Sequence, residues 1–232
     1  IADRDIEDEL GGRVRRPETL RRWMAAYAAA TATTTSLEKI RAAAAPGETA
    51  PAKTTTIAYR EALTRLFILD PVEGWLPTTN QLKRLAQRPK HHLVDPALAA
   101  ALLGLTKEKL LRGEGGLPAI PRDGTFLGAL FESLATLSVR VYAQTAEARV
   151  GHLRTRDGDR EVDLIVETRS GEVLAVEVKL AATVEDEDVR HLRWLRQRLG
   201  EQLRDAVVIT AGAHAYRRRD GIAVVPLALL GP

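Results

Sequence analysis

The amino-acid sequence predicts an α/β fold, in which a helical first half precedes a second half of alternating helices and strands. Residues 1–112 carry helical periodicity, whereas residues 125–232 switch repeatedly between the helical and the strand period. Between them, residues 113–124 hold four glycines and two prolines. We therefore predict a helical domain at 1–112, a linker at 113–124 and an α/β domain at 125–232.

Composition limits the classes of protein that the chain can belong to. Its 232 residues include no cysteine, so disulfides and thiolate metal sites are excluded. No signal peptide or run of about 18 apolar residues is visible, and we expect a cytoplasmic protein with no membrane partner. Because the chain begins at Ile1 and its one methionine is Met24, we expect a fragment or a processed product.

Helix signals recur through the first half of the chain. Leu20, Trp23 and Tyr27 are spaced as an amphipathic helix requires. Three further helices are expected to begin at N-cap residues, and these caps are Ser36, the run Thr54–Thr56, and Asp95 before Pro96. The helix that follows Thr54–Thr56 carries Tyr59 and Leu63, and a strand is expected after it at 67–69.

This order of helices, break and short hairpin is the outline of a winged helix-turn-helix, and it suggests DNA binding. Arg60 and Arg65 lie on the helix that would read the DNA, and a basic cluster includes Arg13, Arg15 and Arg16. Residues 1–112 hold 18 Lys and Arg against 13 Asp and Glu, a net charge of +5. The alternatives are that the cluster is a solvated helix face, which is the simpler explanation, and that the helices serve only as a spacer.

The second half reads as a helix, three strands, a helix and two strands. The first helix is expected at 126–139 with Leu127, Leu130, Leu134 and Leu137 facing inward. The later elements are expected to be strands at 150–154, 161–167 and 172–180, a helix at 185–203, and strands at 206–210 and 221–227.

Lys179 is the only lysine among residues 113–232, which contain fifteen arginines. Its position therefore favours an ammonium, a compact charge whose pKa responds to burial. Glu177 lies two residues earlier in an otherwise apolar strand and shares a face with Lys179. The turn at 168–171 brings Asp163 to within about a residue of Glu177, roughly 5 Å across the sheet.

Two carboxylates at that distance repel unless a proton or a cation lies between them. Mg²⁺ or Mn²⁺ prefers such oxygen ligands, so a metal site at Asp163 and Glu177 is expected. Lys179 would stand beside the ion, and Glu132 interrupts the apolar face of the preceding helix as a possible further carboxylate.

A helix Glu, a strand Asp and a Glu-x-Lys on the next strand resemble the signature of the PD-(D/E)XK nuclease superfamily. Glu132, Asp163, Glu177 and Lys179 carry this resemblance. It implies a restriction-endonuclease-like mixed sheet flanked by helices, with Asp163 and Glu177 as metal ligands. It further implies that Glu132 holds the ion or a ligating water and that Lys179 is catalytic.

The chain also resembles the C-terminal domain of unknown function that follows the ATPase module of many prokaryotic AAA+-type proteins. The matching segments are 126–132, 160–166 and 176–179 in the second half and 2–6 and 88–95 in the first, so that the resemblance covers the chain except for 29–56. The resemblance implies an N-terminal ATPase partner. This sequence contains no phosphate-binding Gly-x-x-x-x-Gly-Lys-Ser/Thr loop and cannot itself be that ATPase.

Two functions follow from these observations. The first is a divalent-metal-dependent nuclease that hydrolyses DNA phosphodiesters. The second is a catalytically inactive module that binds DNA or protein and regulates the associated ATPase. Fold resemblance alone does not decide between them.

Overall fold

The structure is a computed structural model that describes residues 17–47, 49–78, 87–122, 124–155 and 158–231. The chain divides into two compact units. The first unit comprises residues 1–71 and 90–130, and the second comprises residues 72–89 and 131–232.

Short helices build the first unit. Within its described residues they are α1 (Pro17–Ala29), α2 (Leu37–Ala43), α3 (Lys53–Arg65), α4 (Pro96–Leu102) and α5 (Lys107–Leu111). The predicted caps of α2 and α4 are confirmed, because Ser36 accepts from the backbone N–H of Lys39 and Asp95 from that of Ala97. The predicted threonine cap of α3 is wrong. The helix begins at Lys53 after Ala52, and Thr56 instead bonds back to the Lys53 carbonyl.

Aromatic side chains form the centre of the first unit. Trp23, Tyr27 and Tyr59 are all buried, with ring centroids 5.4 Å apart for Trp23 and Tyr27 and 6.3 Å for Trp23 and Tyr59. The strand predicted at 67–69 is reduced to a single bridge between Leu69 and Leu93. Phe67 cannot continue a strand because its φ is +56°, in the left-handed region.

A six-stranded mixed sheet forms the second unit. Its strands are β1 (Arg149–Arg154), β2 (Glu161–Glu167), β3 (Val173–Lys179), β4 (Leu203–Thr210), β5 (Tyr216–Arg217) and β6 (Ala223–Pro226). The spatial order is β1-β2-β3-β4-β6-β5. Strand β3 runs antiparallel to β2 and parallel to β4, so it joins the two halves of the sheet.

Two helices accompany the sheet, α6 (Phe126–Thr145) and α7 (Arg190–Leu199). Phe131, Ala135 and Val139 of α6 pack in one core, and Leu192 and Leu195 of α7 pack in another. By length and composition alone α6 could cross a membrane, a property that it shares with core helices of globular proteins.

The inward face predicted for α6 is wrong at Leu134, whose exposed fraction is 42%. The buried positions of the helix are mostly small or aromatic residues, including Phe126, Ala135 and Val139. Small side chains allow a helix to lie close to a sheet, and a pattern of leucines alone does not show which face does so. Helix α7 is shorter than the predicted 185–203, because residues 186–189 form turns.

The fold class is confirmed as α/β, with N-terminal helices followed by a mixed sheet flanked by helices. The hairpin between β2 and β3 follows the predicted turn, with Gly171 at a φ of +83°. Central strand β3 therefore places its last residues beside the start of β2, where the candidate site lies.

Candidate active site

The β2–β3 ladder ends beside two acidic residues. Leu164 pairs with Val176, and the same register continued by one residue sets Asp163 opposite Glu177. The Asp163 carboxylate Oδ2 accepts a hydrogen bond of 2.9 Å from the backbone N–H of Val178. At this point a side chain of β2, rather than a strand carbonyl, holds β3.

Both carboxylates are almost fully buried. Asp163 is 8% exposed and Glu177 is 7% exposed. Burying a carboxylate is unfavourable unless charged or hydrogen-bonding groups compensate it. The N–H of Val178 supplies part of that compensation at Asp163, and Lys179 supplies it at Glu177.

Lys179 forms an ion pair with Glu177, with 3.2 Å between Nζ and Oε1. The two side chains lie on the same face of β3 because strand side chains alternate. Val176 precedes Glu177, and Val178 lies between Glu177 and Lys179. Both valines pack in the core that includes α6. Glu177 and Lys179 are thus directed away from that core.

The pKa of Lys179 is raised above its ordinary value. Burial acts to lower this pKa, while the carboxylates of Glu177 and Asp163 raise it and prevail. Lys179 is therefore an ammonium at neutral pH. It is suited to attract a negatively charged group rather than to remove a proton.

The turn before α7 adds a further charge near Lys179. Asp188 also raises the pKa of Lys179. This acidic turn is held in place by Arg193, whose guanidinium bonds to Asp186 at 2.8 Å and to Asp220 at 2.6 Å. Arg218 donates to the Val184 carbonyl at 2.9 Å and so fixes the beginning of the same turn.

His191 joins α7 to the start of β2. Its Nε2 accepts from the Nε of Arg190 at 2.8 Å, so Nδ1 carries the proton and donates to the Glu161 carbonyl at 2.6 Å. A second short approach, from the Glu161 N–H to the same Nδ1 at 3.3 Å, is incompatible with that tautomer and is the weaker contact. Burial, followed by the charge of Arg190, lowers the pKa of His191, so the ring is neutral.

The acidic turn and His191 were not predicted as part of the site. Acidic residues such as Glu185–Asp188 at the start of an expected helix are explained equally well by the favourable end of the helix dipole. Only the crossover from β3 through α7 to β4 brings this turn close to Lys179, and sequence spacing alone does not show it.

Glu132 lies half-buried on α6, directly after Phe131. Phe131 packs in the core shared with Leu164 and Val176. Across the part of the chain that the structure describes, no group of three or more His, Asp or Glu side chains is arranged to hold a metal ion. The structure thus brings together Asp163, Glu177 and Lys179, and the role of Glu132 stays a prediction.

Two carboxylates nevertheless fit the needs of Mg²⁺ or Mn²⁺. Mg²⁺ retains several water molecules and is commonly held by one or two carboxylates together with substrate phosphates. Asp163 and Glu177 offer hard oxygen ligands of this kind at one end of the β2–β3 ladder. The donor set is compatible with such an ion without a third protein ligand.

The predicted DNA-contacting residues fall in two places. Arg13, Arg15 and Arg16 lie outside the described residues. Arg60 and Arg65 are exposed on α3. Neither takes part in an ion pair among residues 17–47, 49–78, 87–122, 124–155 and 158–231.

Comparison with known families divides the chain much as the fold does. Residues 127–230 match the family described as Domain of unknown function (DUF4143). This domain is often found with AAA ATPases, as the sequence resemblance predicted. The DUF4143 region contains Glu132, Asp163, Glu177 and Lys179, together with all six strands.

Residues 1–109 match a second family, described as Domain of unknown function (DUF8612). Arg60 and Arg65 fall within this region. No curated protein and no solved structure matches the chain. The DUF4143 match supports the predicted family but assigns no nuclease activity.

Proposed function

We propose that the DUF4143 region hydrolyses DNA phosphodiester bonds in a reaction that depends on Mg²⁺ or Mn²⁺. The observation that carries the proposal is the grouping of Asp163, Glu177 and Lys179 where the β2–β3 ladder ends. Buried charged groups of this kind destabilise a fold unless compensated, and they cluster at functional sites.

Asp163 and Glu177 are the residues that would hold the ion. When bound, the ion would supply a water nucleophile of lowered pKa and neutralise charge on the phosphate. The Val178 N–H fixes the orientation of the Asp163 carboxylate, and the buried position of Glu177 limits its movement. Both carboxylates are therefore organised before substrate arrives.

Lys179 has an electrostatic role in this proposal. Its side chain is 33% exposed, so it is accessible to a phosphate oxygen while still paired to Glu177. An ammonium placed there stabilises the negative charge that develops during hydrolysis. Its raised pKa keeps it protonated, so it is not the group that deprotonates the attacking water. Following the nuclease resemblance, Glu132 would hold a water molecule bound to the ion.

Cleavage of supercoiled plasmid DNA with Mn²⁺ tests this function. Wild type should nick or linearise the plasmid, and Lys179→Met should be at least about 100-fold slower, the usual effect of removing one charge-stabilising group. Lys107→Met, which changes an exposed lysine of the first unit, is the matched control and should cleave like wild type.

Metal binding provides a second measurement that does not depend on turnover. Titration with Mn²⁺ should show one site that Asp163→Asn weakens and that Lys179→Met leaves intact. Equal cleavage by wild type and Lys179→Met would overturn the assignment. So would the absence of cleavage by wild type both alone and with the associated ATPase present.

The second candidate is a module that binds DNA without cleaving it and regulates an associated AAA+-type ATPase. The exposed Arg60 and Arg65, together with the net positive charge of residues 1–112, favour it. It predicts DNA binding that falls steeply with salt and persists in Asp163→Ala and Lys179→Ala. Binding that is undetectable, or that does not change with salt, would indicate a protein partner instead.

A further inference from the structure

Phe67 occupies a backbone position that normally requires glycine. It follows Leu66, the C-cap of α3, and its φ is +56°. Its N–H bonds to the Thr64 carbonyl at 3.0 Å, and the N–H of Ile68 bonds to the Leu63 carbonyl at 2.9 Å. These two bonds define a Schellman motif with Phe67 at the left-handed position after the helix.

A bulky side chain is disfavoured in this conformation. The left-handed region brings Cβ close to the following carbonyl oxygen, which is why glycine predominates at such helix ends. A phenylalanine with positive φ is therefore an outlier that calls for a compensating interaction.

Packing within the first unit does not provide that compensation. The side chain of Phe67 is 79% exposed, the largest value among the exposed large hydrophobic residues that the structure describes. In the described part of the chain, no ring contact engages it. Phe67 thus combines backbone strain with an exposed aromatic ring, and both are unfavourable in the free protein.

Two exposed arginines precede Phe67 on α3. Arg65 lies in the last turn of α3 and Arg60 about one and a half turns earlier, and both are exposed without an ion pair among the described residues. Glu61 is the one acidic residue of α3. An exposed ring that follows a helix with two exposed arginines matches a ligand that carries both a flat apolar face and negative charge.

We propose that the C-terminal end of α3 binds single-stranded DNA, with one unstacked base on the ring of Phe67 and the backbone phosphates near Arg60 and Arg65. Aromatic side chains next to basic residues are the usual means of holding unstacked bases. A polyanion is favoured over a protein partner because residues 1–112 carry a net charge of +5. This binding is independent of hydrolysis at Asp163 and Glu177.

Substitution of Phe67 by glycine separates strain from function. Because glycine tolerates positive φ, Phe67→Gly should raise the melting temperature, by about 2–4 °C for a chain of this size. The same substitution should weaken binding of a single-stranded oligodeoxynucleotide by about tenfold or more, the usual effect of losing one stacked base. If Phe67 had only a structural role, its replacement would not raise stability and weaken DNA binding at the same time.

Binding should be measured by fluorescence of an oligodeoxynucleotide containing 2-aminopurine, with EDTA present so that no metal-dependent hydrolysis contributes. Two matched controls use this chain. Glu147→Gly relieves a positive φ of +53° elsewhere, and Leu111→Ala removes another side chain that is 66% exposed. Both should bind the oligonucleotide like wild type.

Duplex DNA of the same sequence should bind more weakly than the single strand and should be less sensitive to Phe67→Gly. Unchanged single-strand binding in Phe67→Gly would overturn the proposal, as would equal loss in Leu111→Ala. Because hydrolysis plays no part in the measurement, failure here leaves the proposed nuclease reaction untouched, and inactive Lys179→Met should still bind the single strand.

Discussion

The Asp163 carboxylate accepts a hydrogen bond from the backbone N–H of Val178, the residue that separates Glu177 from Lys179. One side chain of β2 therefore fixes the segment of β3 that carries the other two residues of the site. Asp163 has a structural contribution as well as any contribution to metal binding, and a substitution at this position has to separate the two.

Asp163→Asn and Asp163→Ala should differ in stability. Asparagine keeps a carbonyl oxygen that can accept from Val178, so the free energy of unfolding should fall by at most about 1 kcal/mol. Alanine leaves the N–H in an almost buried place without that acceptor, and the expected loss is about 1–3 kcal/mol. Urea denaturation measures both values.

Both substitutions should weaken Mn²⁺ binding, because each removes a charged oxygen ligand. If Asp163→Ala loses much more stability than Asp163→Asn while both lose metal affinity, Asp163 has both a structural role and a metal-binding role. A loss in Asp163→Asn as large as in Asp163→Ala would show that the negative charge itself, rather than the hydrogen bond to Val178, stabilises this end of the ladder.

The ion pair between Glu177 and Lys179 should respond asymmetrically to its two single substitutions. Lys179→Met leaves a carboxylate that is 7% exposed without its cation, whereas Glu177→Gln leaves an ammonium that is one-third exposed and can be solvated. We expect a loss of about 1–3 kcal/mol for Lys179→Met and less than about 1 kcal/mol for Glu177→Gln.

A double-mutant cycle measures the coupling, which should be about 1 kcal/mol at neutral pH. Because the folded-state pKa of Lys179 is raised above its ordinary 10.5, the stabilisation is fully present below pH 10.5. It is lost as the pH rises through the higher folded-state value. Additive effects of the two substitutions at pH 7 would contradict a stabilising pair.

The candidate site could be predicted from the sequence to the extent that it depends on local geometry. The strand period places Glu177 and Lys179 on one face, and the four-residue turn sets the register that brings Asp163 opposite Glu177. The caps at Ser36 and Asp95 follow from side chains that bond only to their own helix. These relationships extend over a few residues and need no knowledge of the tertiary structure.

Relationships that depend on packing could not be predicted in this way. The spacing of the leucines in α6 suggested that Leu134 faces inward, but the sheet is contacted through smaller neighbours such as Ala135. Asp188 approaches Lys179 only because the chain crosses over from β3 to β4. The apolar run at 67–69 predicted a strand, whereas Phe67 lies at the end of α3 with a positive φ.

His91 should make the first unit sensitive to acid. Its Nε2–H donates to the Thr35 carbonyl at 2.7 Å, and its Nδ1 accepts from the Tyr27 hydroxyl at 3.1 Å. These two contacts fix which nitrogen of the neutral ring carries the proton. The ring is buried, as is that of the adjacent His92.

Burial, opposed by the hydrogen bond to Thr35 and assisted by the charge of Arg60, lowers the pKa of His91 from 6.5 to about 4. The unfolded chain takes up the proton first as the pH falls, so the neutral ring stabilises the fold fully above pH 6.5. That contribution is lost between pH 6.5 and pH 4 and amounts to about 3 kcal/mol. Urea denaturation across this range should show the decline in wild type.

His91→Gln should have a lower free energy of unfolding at pH 7 but a flatter dependence on pH, because the substituted side chain does not titrate. His214→Gln, which changes an exposed histidine, is the control and should keep the slope of wild type. Carboxylates that titrate in the same range contribute equally to all three proteins, so the difference between the slopes isolates His91. Parallel slopes for wild type and His91→Gln would show that burial does not hold the His91 ring neutral in the folded protein.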